Sequence, residues 1–197
     1  FTTNTIKVMG DLHTPVTLYL KIRDAFPQSA LLESSDYHSN ENSKSFIGLQ
    51  PIANIDINNG EVLEVLPDGT HHTAMLSDTY TISEAVTRYM SKFEISGQNS
   101  DVFGLFGYTT FNCVKYTDNI KIKESKEDRN DAPDMRYILY KILMVFDHQN
   151  DELTLVELLA DGEESKLSKV ESLINARNFA SYNFHKDGDE WSTISDE

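Results

Sequence analysis

Two apolar runs separated by five polar residues constrain the fold of this chain more than any other feature. Residues 136–146 and 152–159 are dominated by aliphatic and aromatic side chains, and Asp-His-Gln-Asn-Asp lies between them. Such runs on either side of a turn-forming segment are typical of an antiparallel β-hairpin, because Asp and Asn form local hydrogen bonds at chain reversals. The sequence therefore predicts a hairpin over residues 136–159.

Further strands are predicted earlier in the chain. Residues 45–66 hold apolar positions around Asn59 and Gly60, and Asn-Gly supplies the positive φ angles of a tight hairpin turn. A second reversal is expected at 67–69, where Pro-Asp-Gly stands. Residues 29–34 and 102–108 are interpreted as short strands, the second of them buried, with glycines where another backbone could approach closely.

Three helices are predicted from capping residues and apolar periodicity. They cover 15–27 after Thr14, 82–95 after the capping-box pair Thr81 and Glu84, and 163–177. The shared faces expected in these helices are, in order, Val16, Tyr19, Leu20 and Arg23; Ile82, Val86, Tyr89, Met90 and Phe93; and Leu167, Val170, Leu173 and Ile174. Strand runs joined by hairpin turns, without regular βαβ crossovers, indicate an α+β fold with mostly antiparallel sheets and about three helices.

Composition narrows the possible environments and partners. The chain has 197 residues, which suits one domain or one large lobe. Its formal net charge of −15 disfavours nucleic acid or an anionic membrane as partners. Its one cysteine, Cys113, excludes an internal disulfide framework and fits a reducing compartment. With no apolar run as long as a membrane span and no signal-peptide pattern, we expect a cytoplasmic protein.

An interruption between two strands carries a family resemblance. A short strand ends in Leu-Leu-Glu-Ser at 31–34, a polar stretch follows, and Lys-Ser-Phe-Ile-Gly begins at 44, ten residues past the serine. In the same order along the chain stand Thr-Pro-Val at 14–16, Gly-Leu-Phe-Gly-Tyr at 104–108, Leu-Tyr at 139–140 and Val-Phe-Asp-His at 145–148. Together these motifs resemble the N-terminal regulatory domain of anthranilate synthase component I, a chorismate-utilising enzyme.

The resemblance implies a role for four residues. In that family, the residues matching Glu33 and Ser34 line the pocket for the feedback inhibitor L-tryptophan, and the position matching Lys44 lies close by. We therefore expect Leu32 to pack against the ligand, Glu33 and Ser34 to contact its amino-acid head group, and Lys44 to add electrostatic support. Because strand side chains alternate, Leu32 and Ser34 should share one face and Leu31 and Glu33 the other.

The resemblance also implies what surrounds this domain. Residues 1–177 would form the N-terminal domain, an incomplete half of the sandwich fold of anthranilate synthase component I, and 178–197 would lead to a catalytic domain outside this chain. That catalytic domain would bind chorismate and Mg²⁺, take ammonia from a glutamine amidotransferase subunit (component II), and release anthranilate and pyruvate, a lyase reaction. The chain alone should be inactive, hold no cofactor or catalytic residue, and tend to self-associate through open sheet edges.

Two alternatives stay open. One is the N-terminal domain of aminodeoxychorismate synthase component I in the folate pathway, which product analysis of the intact enzyme separates, since that pathway retains the pyruvyl group. The other is a non-enzymatic amino-acid-binding module. The chain also departs from the family at Thr109, where an acidic residue is usual, and at Lys115, where a glutamate is common, so the role of 109–116 is open.

Other chemically capable residues lack a site pattern. His71 and His72 are adjacent and would point to opposite faces of a strand, so they could not easily share one metal ion. Cys113 has no nucleophile signature, and a half-buried structural thiol is the better interpretation. Gly104 and Gly107 form a GxxG pattern that packing explains. We therefore predict no metal site in this chain.

Overall fold

The computed structural model describes residues 1–33, 43–117 and 132–176, which form one antiparallel sheet flanked by helices. The strands are β1 (Thr2–Met9), β2 (Ala30–Leu32), β3 (Lys44–Asn58), β4 (Glu61–Val65), β5 (His71–Met75), β6 (Phe106–Thr109), β7 (Met135–Asp147) and β8 (Glu152–Leu159). The helices are α1 (Pro15–Ile22), α2 (Ile82–Met90), α3 (Leu167–Asn175) and two short 3₁₀ helices, Ser100–Val102 and Phe111–Tyr116. The predicted α+β class with a mostly antiparallel sheet is confirmed.

A long pairing between β3 and β7 forms the spine of the sheet. It runs from Lys44 opposite Asp147 to Ile57 opposite Met135. On its edge away from β3, β7 pairs with β8 at one end and with β6 at the other. On its edge away from β7, β3 pairs with β2 at one end and with β4 at the other. The register shifts between Pro51 and Ala53, just after Gln50 with its positive φ of 56°. The spine therefore has two ends, each with its own flanking strands.

The predicted turns are confirmed. β7 and β8 form the expected hairpin, and β3 reverses into β4 through Asn59 and Gly60, which have φ angles of 51° and 80°. Both φ angles match the requirement of a primed two-residue turn. The reversal predicted at 67–69 joins β4 to β5, where the Asp68 carboxylate accepts a hydrogen bond from the Thr70 N–H.

The helices cover two separate cores of the sheet. α1 and α3 cover one end with Leu18, Ile22, Val170 and their neighbours, and α2 covers the other with Ala85 and Tyr89. α3 begins beside Glu157, a fully buried carboxylate that accepts hydrogen bonds from the Ser165 hydroxyl and the Lys166 N–H. The Oε2 atom of Glu157 lies 2.7 Å from the hydroxyl oxygen and 2.9 Å from the amide nitrogen. This contact fixes where α3 starts.

Helix boundaries and two helix faces differ from the prediction. α1 ends at Ile22, where the chain turns through Phe26, and its buried stripe is Leu18 and Ile22, whereas Val16 is 45% exposed. α2 is shorter than 82–95, and Met90 is 48% exposed. The apolar face predicted for α3 is confirmed. The α1 error arose because several faces of an apolar eight-residue helix look alike in sequence.

One strand was not predicted and another was misjudged. β1 pairs along β8 and places Ile6 and Val8 against the core. Their alternation with Lys7 is the signal that could have revealed it. The buried strand predicted over 102–108 is wrong: a 3₁₀ helix ends at Val102, and β6 lies at the sheet edge with Gly107, Tyr108 and Thr109 exposed.

Close backbone approach does require glycine in β6. A Cβ atom on Gly107 would lie 1.8 Å from the Arg136 carbonyl oxygen, whereas one on Gly104 would meet no atom within 4 Å. Packing therefore explains one glycine of the GxxG pattern. The charge-rich sequence of residues 117–134 also predicts an exposed loop, which falls mainly outside the described residues. The predicted linker 178–197 falls wholly outside them.

The segment 109–116 has a structural role. The Asp134 carboxylate accepts hydrogen bonds from the Tyr116 hydroxyl at 2.6 Å and the Asn59 N–H at 3.3 Å, and pairs with the Lys115 ammonium at 3.2 Å. The Cys113 thiol donates to the Asp134 carbonyl oxygen, and burial raises the pKa of this thiol. Lys115, a departure from the family pattern, thus helps to tie the 3₁₀ helix to the β3–β4 turn.

Among the described residues, no helix is both long and apolar enough to cross a membrane.

We predict that Gly48→Ala destabilises the protein by about 1–3 kcal/mol, the usual range for an overpacked core. A Cβ there would lie 2.4 Å from the ring of Tyr140, which is itself buried. Urea unfolding measures the change. Gly104→Ala is the matched control and should stay within about 0.5 kcal/mol of wild type. Equal stabilities of the two variants would contradict the packing described.

We also predict that Asp134→Asn costs about 1–3 kcal/mol at neutral pH, because the charged hydrogen bonds are lost. Burial opposes ionisation of Asp134, but the hydrogen bonds from Tyr116, Lys115 and Asn59 outweigh it and lower the pKa of this carboxyl. A lowered folded-state pKa contributes stability that is present above the unfolded pKa and lost as pH falls through the folded one.

The stability difference between wild type and Asp134→Asn should therefore shrink on acidification from about pH 7 to about pH 3. Urea unfolding across that range is the measurement. Asp161→Asn, at an exposed turn position, should follow wild type throughout. A difference that stayed constant with pH would refute the role given to the carboxylate charge.

Candidate effector-binding face

The pairing of β2 with β3 determines which side chains lie together. Leu31 is opposite Ile47, and Leu32 is opposite Phe46. Because directly opposed residues share a face, Leu32 lies with Phe46, while Leu31 packs into the core under α1 and α3. Lys44 stands two residues before Phe46 on the same strand and so shares its face. The alternation predicted for Leu31 and Leu32 is confirmed.

Aromatic rings continue this face across the sheet. The ring centroids of Phe46 and Phe106 lie 5.5 Å apart, and those of Phe106 and Tyr140 lie 6.5 Å apart. The Tyr140 ring packs directly against Gly48, where a side chain would clash with the ring. We call the surface formed by Leu32, Lys44, Phe46, Phe106 and Tyr140 the aromatic face. It lies on the side of the sheet opposite α1 and α3.

Lys44 has an acidic neighbour across the spine. It is the register partner of Asp147 in β7. Burial raises the pKa of Asp147, but hydrogen bonds from the N–H groups of Asn150 and Gln149, the Asn150 side chain and the charge of Lys44 together lower it. Lys44 therefore contributes positive potential at this end of the sheet, and Asp147 offsets part of it.

The other two predicted site residues follow β2. Glu33 is exposed and lies just past the end of the strand. Ser34 lies outside the described residues, as do the polar positions up to 42. The structure thus brings Leu32 and Lys44 onto one face and leaves the roles of all four residues as predictions.

A serine–histidine contact lies behind Lys44 and was not predicted. The Ser45 Oγ and the His148 Nε2 are 2.8 Å apart, and the His148 ring stacks at a tilt against Phe146, with centroids 5.0 Å apart. Ser45 is only 1% exposed, and no described carboxylate hydrogen-bonds to His148. The contact ties the start of β3 to the β7–β8 turn. Strand alternation places Ser45 on the core side, but no local sequence pattern predicts its contact with His148.

Metal ions in proteins are commonly held by groups of His, Cys, Asp or Glu side chains. In residues 1–33, 43–117 and 132–176, no group of three or more His, Cys, Asp or Glu side chains is arranged to hold a metal ion. His71 and His72 are neighbours in β5, and both are exposed. The Mg²⁺ implied by the family resemblance concerns the catalytic domain and stays a prediction.

The fold and this face define an antiparallel α+β unit with an aromatic surface beside a strand interruption. A model of the chorismate binding enzyme family matches residues 28–195. That match covers most of the chain, and the chain belongs to the chorismate binding enzyme family. The match includes most of the predicted linker 178–197, whose assignment stays a prediction.

Two named proteins are similar to this chain over most of its length. The chain is 25% identical over 168 residues to anthranilate synthase component 1 of Lactococcus lactis, covering 84% of this chain and 34% of that protein. It is 28% identical over 159 residues to anthranilate synthase component 1 of Thermus thermophilus, covering 80% and 32%. The chain therefore spans about a third of the length of these relatives.

A solved structure is also similar. It is anthranilate synthase component I from Streptococcus pneumoniae, with 21% sequence identity and a TM-score of 0.44 over 84% of this chain and 34% of that one.

We predict that Phe46→Leu destabilises the protein by about 1 kcal/mol or more, because it removes the ring contact with Phe106 from the aromatic face. Phe111→Leu is the same substitution at a residue that is 82% exposed, so it should stay within about 0.5 kcal/mol of wild type. Urea unfolding of both variants measures the difference. Equal losses would show that the aromatic face is not packed as described.

Proposed function

We propose that this chain is the N-terminal regulatory part of anthranilate synthase component I and carries part of an L-tryptophan feedback-inhibition site. The parent enzyme would convert chorismate and glutamine-derived ammonia to anthranilate and pyruvate, the first step of tryptophan biosynthesis. The observation that carries the proposal is the position of Leu32 and Lys44 on one aromatic face, at the strand interruption where the family resemblance is strongest.

The chemistry of this face suits an aromatic amino acid. Leu32, Phe46 and Phe106, which are each partly exposed, offer apolar surface to an indole, and aromatic pairs gain about 0.5–1.5 kcal/mol beyond simple burial. Glu33 would accept hydrogen bonds from the ligand ammonium, and Ser34 would contribute a further polar contact to the head group. Lys44 would attract the ligand carboxylate, in competition with its attraction to Asp147.

Inhibition requires that tryptophan bind one global state of the enzyme better than another. A coupling of about 1–3 kcal/mol would change substrate affinity by about 5–150-fold. The other partners of this arrangement are the catalytic domain of the same enzyme, with its Mg²⁺, and the glutamine amidotransferase subunit. On its own this chain would be catalytically inactive, and we place the enzyme in the cytoplasm.

Self-association is part of the proposal. β5 lies at one end of the strand order, and all five of its residues are exposed. An exposed edge strand presents unpaired backbone groups to another chain. We therefore expect the isolated chain to associate with itself at high concentration.

We predict that L-tryptophan binds this chain stereospecifically, as isothermal titration will measure. D-tryptophan and L-phenylalanine should bind at least about tenfold more weakly, because the head-group contacts or the indole packing are lost. Ser34→Ala should abolish most of the binding, and Lys44→Gln should weaken it. Lys169→Gln is the matched control, since it removes one positive charge from an exposed position of α3.

The intact parent enzyme supplies the complementary measurement. There, Ser34→Ala should relieve inhibition by L-tryptophan while turnover stays largely unchanged. Inhibition retained in that variant would overturn the assignment of the site. Formation of a product that keeps the pyruvyl carbons would favour the aminodeoxychorismate synthase alternative.

A further inference from the structure

A second cleft lies at the other end of the sheet, between the β4–β5 hairpin and α2. Its volume is about 390 Å³, which falls within the usual range of small-molecule sites. Its floor comes from the hairpin, where Val62 is opposite Ala74 and Glu64 is opposite His72. Its wall comes from Tyr80 and Arg88, with Lys92 just beyond the end of α2. None of these residues belongs to the aromatic face.

Only some of the charged groups around this cleft form ion pairs. Glu64 is 7% exposed and forms a close ion pair with Lys92, which neutralises the buried carboxylate. Arg88 forms no ion pair with another described residue; its guanidinium carbon lies 5.4 Å from the centre of the Tyr80 ring. The charge of Glu84, one helical turn earlier in α2, also acts on Tyr80 but forms no ion pair with Arg88.

The positions of Arg88, Tyr80 and Glu64 determine which class of ligand fits this cleft. An arginine stacked on an aromatic ring presents its N–H groups in a fork that matches a carboxylate. Burial raises the pKa of Tyr80, and the charges of Glu64 and Glu84 raise it further against the lowering effect of Arg88, so its hydroxyl stays protonated as a donor. The Glu64 carboxylate disfavours a dianion, whereas Val62, Ala74 and the Tyr80 ring offer apolar contact to the body of a ligand.

We propose that this cleft binds a small organic monocarboxylate with an apolar body. Arg88 binds the carboxylate, Tyr80 holds the guanidinium in place, and the Glu64–Lys92 pair forms a neutral floor. The site is separate from the aromatic face and does not depend on the function proposed above.

Titration of the full chain with benzoate, followed by amide chemical shifts in NMR, tests the proposal. We expect saturable shifts at residues around the cleft, and no comparable shifts with benzamide, which has the same ring without the charge. Arg88→Gln should raise the dissociation constant by at least about tenfold. Lys169→Gln removes one positive charge from an exposed position of α3 and should leave the constant unchanged.

A second variant separates the cleft from the charge of Arg88 alone. Ala74→Phe should fill the cleft from an exposed strand position, keep every charge, and abolish benzoate binding. Both variants replace exposed residues, and their far-ultraviolet circular dichroism should match wild type. The proposal is overturned by equal affinity for benzamide, by tighter binding of inorganic phosphate than of benzoate, by an unchanged constant in Arg88→Gln, or by no saturable shifts with benzoate.

Discussion

The pairing of β3 with β7 is the constraint on which the rest of this structure depends. Every other strand is attached to one of these two, directly or through a neighbour. The register shift between Pro51 and Ala53 divides the pairing into two ends. Irregularities of this kind bend a strand and increase its twist. The two long strands can thus serve two separate cores, one under α1 and α3 and one under α2.

This division also separates the two candidate sites. The aromatic face lies at the first end, on the side of the sheet opposite α1 and α3, where β2 fixes the register of Leu32 against Phe46. The charged cleft lies on the helix side of the second end, where β5 opposes β4. A ligand at either site would contact elements attached to the same spine.

Features determined by residues close in sequence were predicted, whereas features determined by distant residues were not. The β7–β8 hairpin, the Asn59–Gly60 turn and the Thr81 cap were predicted because each is determined by residues close in sequence. The face of α1 and the exposure of β6 were not, since they depend on which distant strand covers them. Of the aromatic face, alternation predicted the side taken by Leu32. The contact of Phe46 with Phe106 joins strands about sixty residues apart and left no local pattern.

Several charged side chains of this fold form ion pairs, and Arg88 of the cleft differs from them. Asp56 pairs with Arg136 across the spine, and Glu64, Asp134 and Lys141 each have a partner of opposite charge. Each pair neutralises a buried charge, which would be costly to bury without a partner. The acidic excess of the chain therefore lies mainly outside these pairs. A cation such as Arg88, stacked on a ring without a described carboxylate partner, departs from this pattern, which makes an anionic ligand its simplest physical complement.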